Sequence, residues 1–171
     1  MLEDVLRSKI SIKILSLFLE NPKSEFYEKD IQKRLRISRG SIRKWITFLK
    51  NRGFVYKIQR DRFNIYRLNS ENSMVKQLKI LNTLSSLLPA FEKLNVEAEC
   101  YLYGSAARGE DNERSDIDIL ILGKDRDVIE KIKSIDNRIK VSFFTLLEWA
   151  KIAKEDPAFY ERVERNKIRL L

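Results

Sequence analysis

Residues 104–122 read GSAARGEDNERSDIDILIL, and this stretch decides the fold. It opens on Gly104-Ser105, carries a second glycine at Gly109 and closes on Asp116-Ile117-Asp118. Apolar runs flank it, so residues 97–103 read as one strand and residues 117–122 as the next. Side chains two apart on a strand point to the same face, which sets Asp116 beside Asp118. Two strands joined by a glycine-bearing loop bring backbone N–H groups suited to phosphate oxygens next to carboxylates suited to a divalent metal.

Gly104-Ser105, ten residues, then Asp116-Ile117-Asp118 resembles the signature of the DNA polymerase β-like nucleotidyltransferases. The match is nearest to their minimal branch, which includes nucleotidyltransferase antitoxins. Arg108, Gly109 and Ser115 also stand where that branch has them. The resemblance implies a nucleotide site with Mg²⁺ as cofactor and ATP or another nucleoside triphosphate as substrate. Backbone N–H groups at Gly104 and Ser105, with the Ser105 hydroxyl, would hold phosphate oxygens. Arg108 would neutralise charge on the leaving pyrophosphate, or pair with a nearby acid. Asp116 and Asp118 would be the catalytic metal ligands, and Ser115 would support the turn into the strand. Gly109 belongs to the nucleotide loop or serves its turn alone. Asp111 and Glu113 read as loop solvation.

One feature departs from the family pattern. Active members carry a third carboxylate on the following strand. Here that strand reads Ile139-Lys140-Val141-Ser142-Phe143-Phe144, without an acid. Ser142 is near the expected place, and Asp136 and Glu148 lie before and after the strand. Loss of such an oriented group lowers activity by orders of magnitude. Nucleotide binding is therefore a firmer expectation than nucleotidyl transfer.

A chain of 171 residues fits one domain or two small ones. Its apolar share of 43% supports a packed core, and 35% charged residues favour a soluble protein. No apolar run reaches about 18 residues, so no membrane span is expected. The first residues lack the pattern of a secretory signal, and a cytoplasmic location is the expectation. A single cysteine, Cys100, excludes an internal disulfide and reads as a buried, inert thiol. With no histidine in the chain, histidine bases and histidine-ligated metals are excluded.

The net charge of +9 is uneven. Residues 1–70 hold 17 Lys/Arg against 7 Asp/Glu (+10), and residues 71–171 hold 17 against 18 (−1). A basic module for a polyanion, joined to something else, is the implied layout. Leu6, Ile10, Ile14, Leu17 and Phe18 share one helical face, ended by Asn21-Pro22. A second helix falls near residues 28–35, with Ile31 and Leu35 inward. Ser38 caps a third, whose Ile42, Ile46 and Leu49 point inward and which Gly53 ends. Strands at residues 54–58 and 63–68 follow, with residues 59–62 as the tip.

Three helices and a hairpin in this order look like a winged helix-turn-helix domain, with the third helix as recognition helix. Its outward residues Arg39, Ser41, Arg43, Lys44, Thr47 and Lys50 suit a major groove of double-stranded DNA, and Arg60 and Arg62 suit the backbone or minor groove. Trp45 and Tyr56 read as packing residues. A purely protein-binding role is the alternative, since fold does not fix function.

The fold class is thus two-domain α/β: residues 1–70 winged helix-turn-helix, residues 71–95 a helical connection, residues 96–171 a small nucleotidyltransferase-like domain with a mixed sheet. In the connection, Met74, Leu78, Leu81, Leu84, Leu88 and Phe91 recur at helical spacing, and Pro89 is expected to kink or restart the helix. The stripe fits a homodimer seam and fits burial within the chain equally well. Beyond the motif, Asp125 is expected to cap a helix to about residue 135. Thr145 with Glu148 forms a capping box, Asp156-Pro157 opens a last helix, and residues 168–171 read as a closing strand.

Three readings follow. One is a DNA-binding protein that transfers a nucleotidyl group, AMP for example, to a protein hydroxyl. Another is a non-enzymatic transcription regulator with a degenerate, nucleotide-sensing transferase domain. The third is the antitoxin of a pair, acting on a toxin or other acceptor protein.

Overall fold

A computed structural model describes residues 8–171. The chain divides into two compact units, the first ending at Leu78 and the second running from Lys79 to Leu171.

In the first unit, Ser8 caps α1 (Lys9–Glu20), its Oγ accepting the Ile10 N–H at 3.2 Å. Ile14, Leu17 and Phe18 are buried on one face, while Leu6 lies outside the described residues. A short strand β1 (Phe26–Tyr27) leads into α2 (Glu28–Leu35), which buries Ile31. Ser38 caps α3 (Arg39–Asn51) by accepting the Ser41 N–H at 3.3 Å, and Ile42, Ile46 and Leu49 face inward. Gly53 has φ +72°, the left-handed turn that ends a helix best without a side chain.

β2 (Val55–Arg60) and β3 (Phe63–Leu68) form an antiparallel hairpin, and β1 joins the far edge of β3. Pairing extends further than the sequence suggested. Arg60 pairs with Phe63, so the tip shrinks to Asp61-Arg62, with Asp61 at φ 54°. Strand alternation places Val55 inside and Tyr56 outside, so Tyr56 is exposed rather than packed. Trp45 is half-buried against the core, edge-on to Phe48 with ring centroids 5.6 Å apart.

Helix α4 (Ser73–Phe91) starts at Asn72, whose Oδ1 accepts the Met74 N–H at 2.9 Å. Its Val75 and Leu78 belong to the core of the first unit, and Leu87 and Phe91 to that of the second. Leu81, part of the stripe that fitted a homodimer seam and burial within the chain equally well, is 59% exposed. The helix continues past Pro89 to Phe91 rather than restarting there. The missing Pro89 N–H bond and the crowding of its ring against the Ser85 carbonyl fall in the last turn, and the helix ends two residues later.

The second unit is a four-stranded mixed sheet in the order β6-β5-β4-β7. β4 (Ala98–Tyr103) pairs antiparallel with β5 (Ile117–Gly123) and with β7 (Ile168–Arg169), and β5 runs parallel to β6 (Ile139–Phe144). Between β4 and β5 lies the single turn α5 (Gly104–Ala107). Helix α6 (Val128–Lys133) is shorter than expected, because the Asp125 carboxylate closes a local turn onto the Asp127 N–H at 2.9 Å instead of capping a helix. Thr145 and Glu148 form the capping box of α7 (Leu146–Glu155), and Asp156 caps α8 (Pro157–Asn166).

β5 is covered on both faces, which is why it reads as a nearly continuous apolar run. Ile117, Ile119 and Ile121 pack with Leu87, Phe91, Val128 and Ile132. Leu120 and Leu122 pack with Trp149 and Val163 on the opposite face. Each fully buried Ile or Leu contributes roughly 1.5–3 kcal/mol. Asp118, on the Leu120 face, breaks the run. Cys100 is fully buried, which pushes its thiol up to about 11 and leaves it unreactive. Among the described residues no helix is long and apolar enough to cross a membrane.

Candidate active site

The site forms where β4 turns into α5. Tyr103, the last residue of β4, is in register with Asp118 on β5, which brings the next residue, Gly104, against the Asp118 side chain. Gly104 has φ +73°, and a Cβ there would stand 2.1 Å from Asp118 Oδ2. Only glycine lets the carboxylate lie this close to the turn. The first N–H groups of a helical turn have no intrahelical partner, so the Gly104-Ser105 backbone presents donors at the same place.

The loop that follows is tied down by its own bonds. The Ser105 carbonyl accepts the N–H of Arg108 at 3.2 Å and of Glu110 at 2.9 Å. Gly109, at φ +66°, donates its N–H to the Ala106 carbonyl at 3.2 Å. Ser115 Oγ accepts the Asn112 N–H, and the Ser115 N–H returns to the Asn112 carbonyl, each at 2.9 Å. This small ring delivers the chain to Asp116, just before β5 begins.

Asp116 is exposed and Asp118 half-buried. Burial raises the Asp118 carboxyl above the usual range, the Asp116 charge pushes the same way, and Arg108 opposes both. Two carboxylates and an arginine therefore share one field. Arg108 also donates from Nε to Glu110 Oε2 at 2.8 Å, the acid pairing that its sequence neighbours allowed.

A hydroxyl pair lies beyond Asp118. Tyr103 Oη and Ser142 Oγ are 2.8 Å apart, one from β4 and the other from β6. Neighbouring strands are about 4.8 Å apart, so the tyrosine reaches across β5 to span roughly 10 Å. Burial raises the Tyr103 phenol, the bond to Ser142 and the Arg162 charge pull it down, and Asp118 raises it further, so it stays neutral.

A family model for the nucleotidyltransferase domain matches residues 84–170. The chain belongs to that family. Comparison with curated proteins found no match.

Within this nucleotidyltransferase domain, Gly104, Ser105, Arg108, Gly109, Ser115, Asp116 and Asp118 all lie on one turn-and-loop at the end of β4 and the start of β5. Ser142 shares the Asp118 face but stands in register with Leu120, and the β6 residue beside Asp118 is Lys140. Asp136 is engaged elsewhere: Arg138 donates to it from Nε at 3.1 Å and Nη2 at 2.7 Å, which holds its carboxyl below the usual range. Glu148 accepts the Thr145 N–H at 2.7 Å in the α7 cap. Among the described residues no three His, Cys, Asp or Glu side chains group in a way that could hold a metal ion.

Sequence reasoning missed Tyr103, Arg162 and Lys140, which register and packing bring to this face without any motif of their own. It also took Asp111 for a solvated loop residue, whereas Asp111 is ion-paired to Lys79 at 2.8 Å.

In the first unit, Arg39, Arg43, Lys44, Thr47 and Lys50 are exposed along α3, and Ser41 is half-buried with its Oγ 3.0 Å from Ser38 Oγ. Arg43 Nε donates to Glu28 Oε2 at 3.0 Å, with Arg39 Nε 3.8 Å from the same oxygen. Arg60 Nη2 lies 3.2 Å from Glu25 Oε2, and Arg62 is exposed at the hairpin tip.

Proposed function

We propose that the second unit binds a Mg²⁺–nucleoside triphosphate and transfers its nucleotidyl group to a protein hydroxyl. The observation that carries this reading is the Asp118 carboxylate lying against Gly104, with Asp116 alongside. The donor set fits the metal: hard carboxylate oxygens beside a cradle that a Cβ would fill. When bound, Mg²⁺ polarises the α-phosphate and orients the incoming hydroxyl. The residues themselves hold and align. Gly104 and Ser105 grip the terminal phosphates, and Arg108 balances charge on the departing pyrophosphate. Asp116 and Asp118 supply the anionic oxygens.

A second reading is favoured by the Tyr103–Ser142 pair. Neutral hydroxyls stand near the family's third carboxylate, so nothing anionic there orients an acceptor. In this reading the domain binds nucleotide and transfers it slowly or not at all, as a sensor.

We infer that the first unit is a winged helix-turn-helix domain that binds double-stranded DNA through α3 and the hairpin. The +10 charge of residues 1–70 and the exposed cations of α3 support this.

Titration of the purified protein with Mg²⁺ and each of the four triphosphates, followed by label transfer from α-labelled ATP to a hydroxyl acceptor, tests the first reading. Saturable, Mg²⁺-dependent binding supports the site. No binding of any triphosphate refutes it. With a plausible partner protein supplied as acceptor, binding without transfer selects the sensor.

A further inference from the structure

Lys79 on α4 is 3% exposed, and among the described residues its ammonium pairs with Asp111. It donates to the Asp111 backbone carbonyl. It also lies 2.8 Å from the buried Asp111 Oδ1, an ion pair without the alignment of a directed hydrogen bond. A buried ammonium is costly unless paired, so both ends of this contact are committed. Lys79 stands one helical turn after the fully buried Val75, on the face a helix turns inward. It also precedes the stretch matched by the family model, residues 84–170.

Asp111 begins the segment that delivers the two site carboxylates. Its neighbour Asn112 forms the ring with Ser115, and the Asn112 side chain accepts the Arg114 N–H at 3.1 Å. Asp116 follows directly, and the Ile117 N–H is fixed to the Arg138 carbonyl at 2.9 Å. The loop is therefore anchored at its end by Arg138, the residue before β6, and at its start by Lys79.

We propose that Lys79 is a positioning residue for the nucleotide site. By holding Asp111 at both its carbonyl and its carboxylate, it sets the path of residues 111–116 and so the placement of Asp116 beside Asp118. The mechanism is that of groups behind metal ligands, which fix ligand orientation without touching the metal. Their removal weakens metal affinity by about 10- to 100-fold. The proposal rests on the nucleotide-site reading above.

The test compares the full-length protein with Lys79→Met, Lys79→Arg and Asp111→Ala. Two readouts are needed: amide hydrogen exchange without nucleotide, and triphosphate affinity with Mg²⁺ and with chelator. Lys79→Met should speed exchange at residues 112–117 while residues 100–102 and 119–121 stay protected. It should weaken Mg²⁺-dependent binding about 10-fold or more and leave the chelator value unchanged. Lys79→Arg, which keeps a cation, should restore both towards wild type. If Lys79→Met does not fold, Asp111→Ala should show the same faster exchange from the more exposed partner. Unchanged loop exchange in the folded variants overturns the proposal, as does equal loss of affinity with and without Mg²⁺. If the wild type binds no triphosphate, the nucleotide site is refuted on that count, and unchanged or faster loop exchange still decides whether Lys79 sets the loop.

Discussion

Tyr103 Oη and Ser142 Oγ meet at 2.8 Å across β5, on the face that carries Asp118. The pair consists of two hydroxyls and supplies no negative charge to that face. Ser142→Asp should therefore strengthen the Mg²⁺ dependence of triphosphate binding, by about 10-fold on the scale of oriented metal-site groups. Tyr103 would donate to the new carboxylate and blunt it, so Tyr103→Phe with Ser142→Asp should exceed the single variant. Tyr103→Phe alone should lose about 1 kcal/mol of stability, the worth of one hydrogen bond. Calorimetry and thermal melts read both, and an unchanged Mg²⁺ dependence in both Asp variants would contradict this account of the face.

Gly104→Ala should damage both stability and site. The left-handed backbone alone costs roughly 1–2 kcal/mol for a residue with a Cβ. The Cβ would also stand 2.1 Å from Asp118 Oδ2, displacing that carboxylate. Gly40→Ala is the control: nothing lies within 4 Å of its Cβ and it sits in α3, where alanine gains up to about 1 kcal/mol over glycine. A Gly104→Ala protein with wild-type melting and nucleotide affinity would rule out the close approach.

Acidification should weaken Mg²⁺–nucleotide binding earlier than an ordinary carboxylate would. Asp118 is raised by burial and by Asp116, so it takes up a proton at higher pH and then loses its value as an anionic ligand. The stability sign is the opposite. A carboxyl whose folded value is raised favours the folded state when protonated, so its unfavourable contribution is complete above the folded value and fades as pH falls through it. Asp118→Asn should accordingly raise the melting temperature at neutral pH while weakening Mg²⁺-dependent binding at every pH. A binding profile flat down to the ordinary carboxylate range would oppose this.

For the first unit, duplex binding should fall steeply with salt. Arg43→Ala and Lys44→Ala should weaken it and each reduce the salt slope by about 1, while Asp116→Ala leaves it alone. Glu28 engages both Arg39 and Arg43, so Glu28→Gln should release two cations and tighten non-specific binding. Fluorescence anisotropy with the full chain over a salt series measures all four. Absence of duplex binding at low salt removes the DNA reading.

Much of the second unit was legible because the cues were local. The Gly104-Ser105 turn, the Asp-x-Asp spacing, the Thr145/Glu148 box and the Asp156-Pro157 start each depend on residues within a few positions. What escaped depended on register or long-range packing. Tyr103 reaches Ser142 only because β4, β5 and β6 are neighbours, and Lys79 reaches Asp111 across 32 residues. Leu81 fitted the helical stripe by spacing yet points outward, because spacing marks a face without saying how wide its cover is. The hairpin tip was drawn too long, because Arg60 is polar and still pairs within the ladder with Phe63.

The central claim is that Asp116 and Asp118 hold the metal of a nucleotide site. Replacing both with Asn keeps the shape and removes two anionic oxygens. Calorimetric titration of wild type and of the Asp116→Asn/Asp118→Asn variant with Mg²⁺–triphosphate decides it. The account predicts saturable, Mg²⁺-dependent binding by the wild type and its loss in the variant, whose melting transition remains cooperative. Equal Mg²⁺–triphosphate affinity in the two proteins would contradict it.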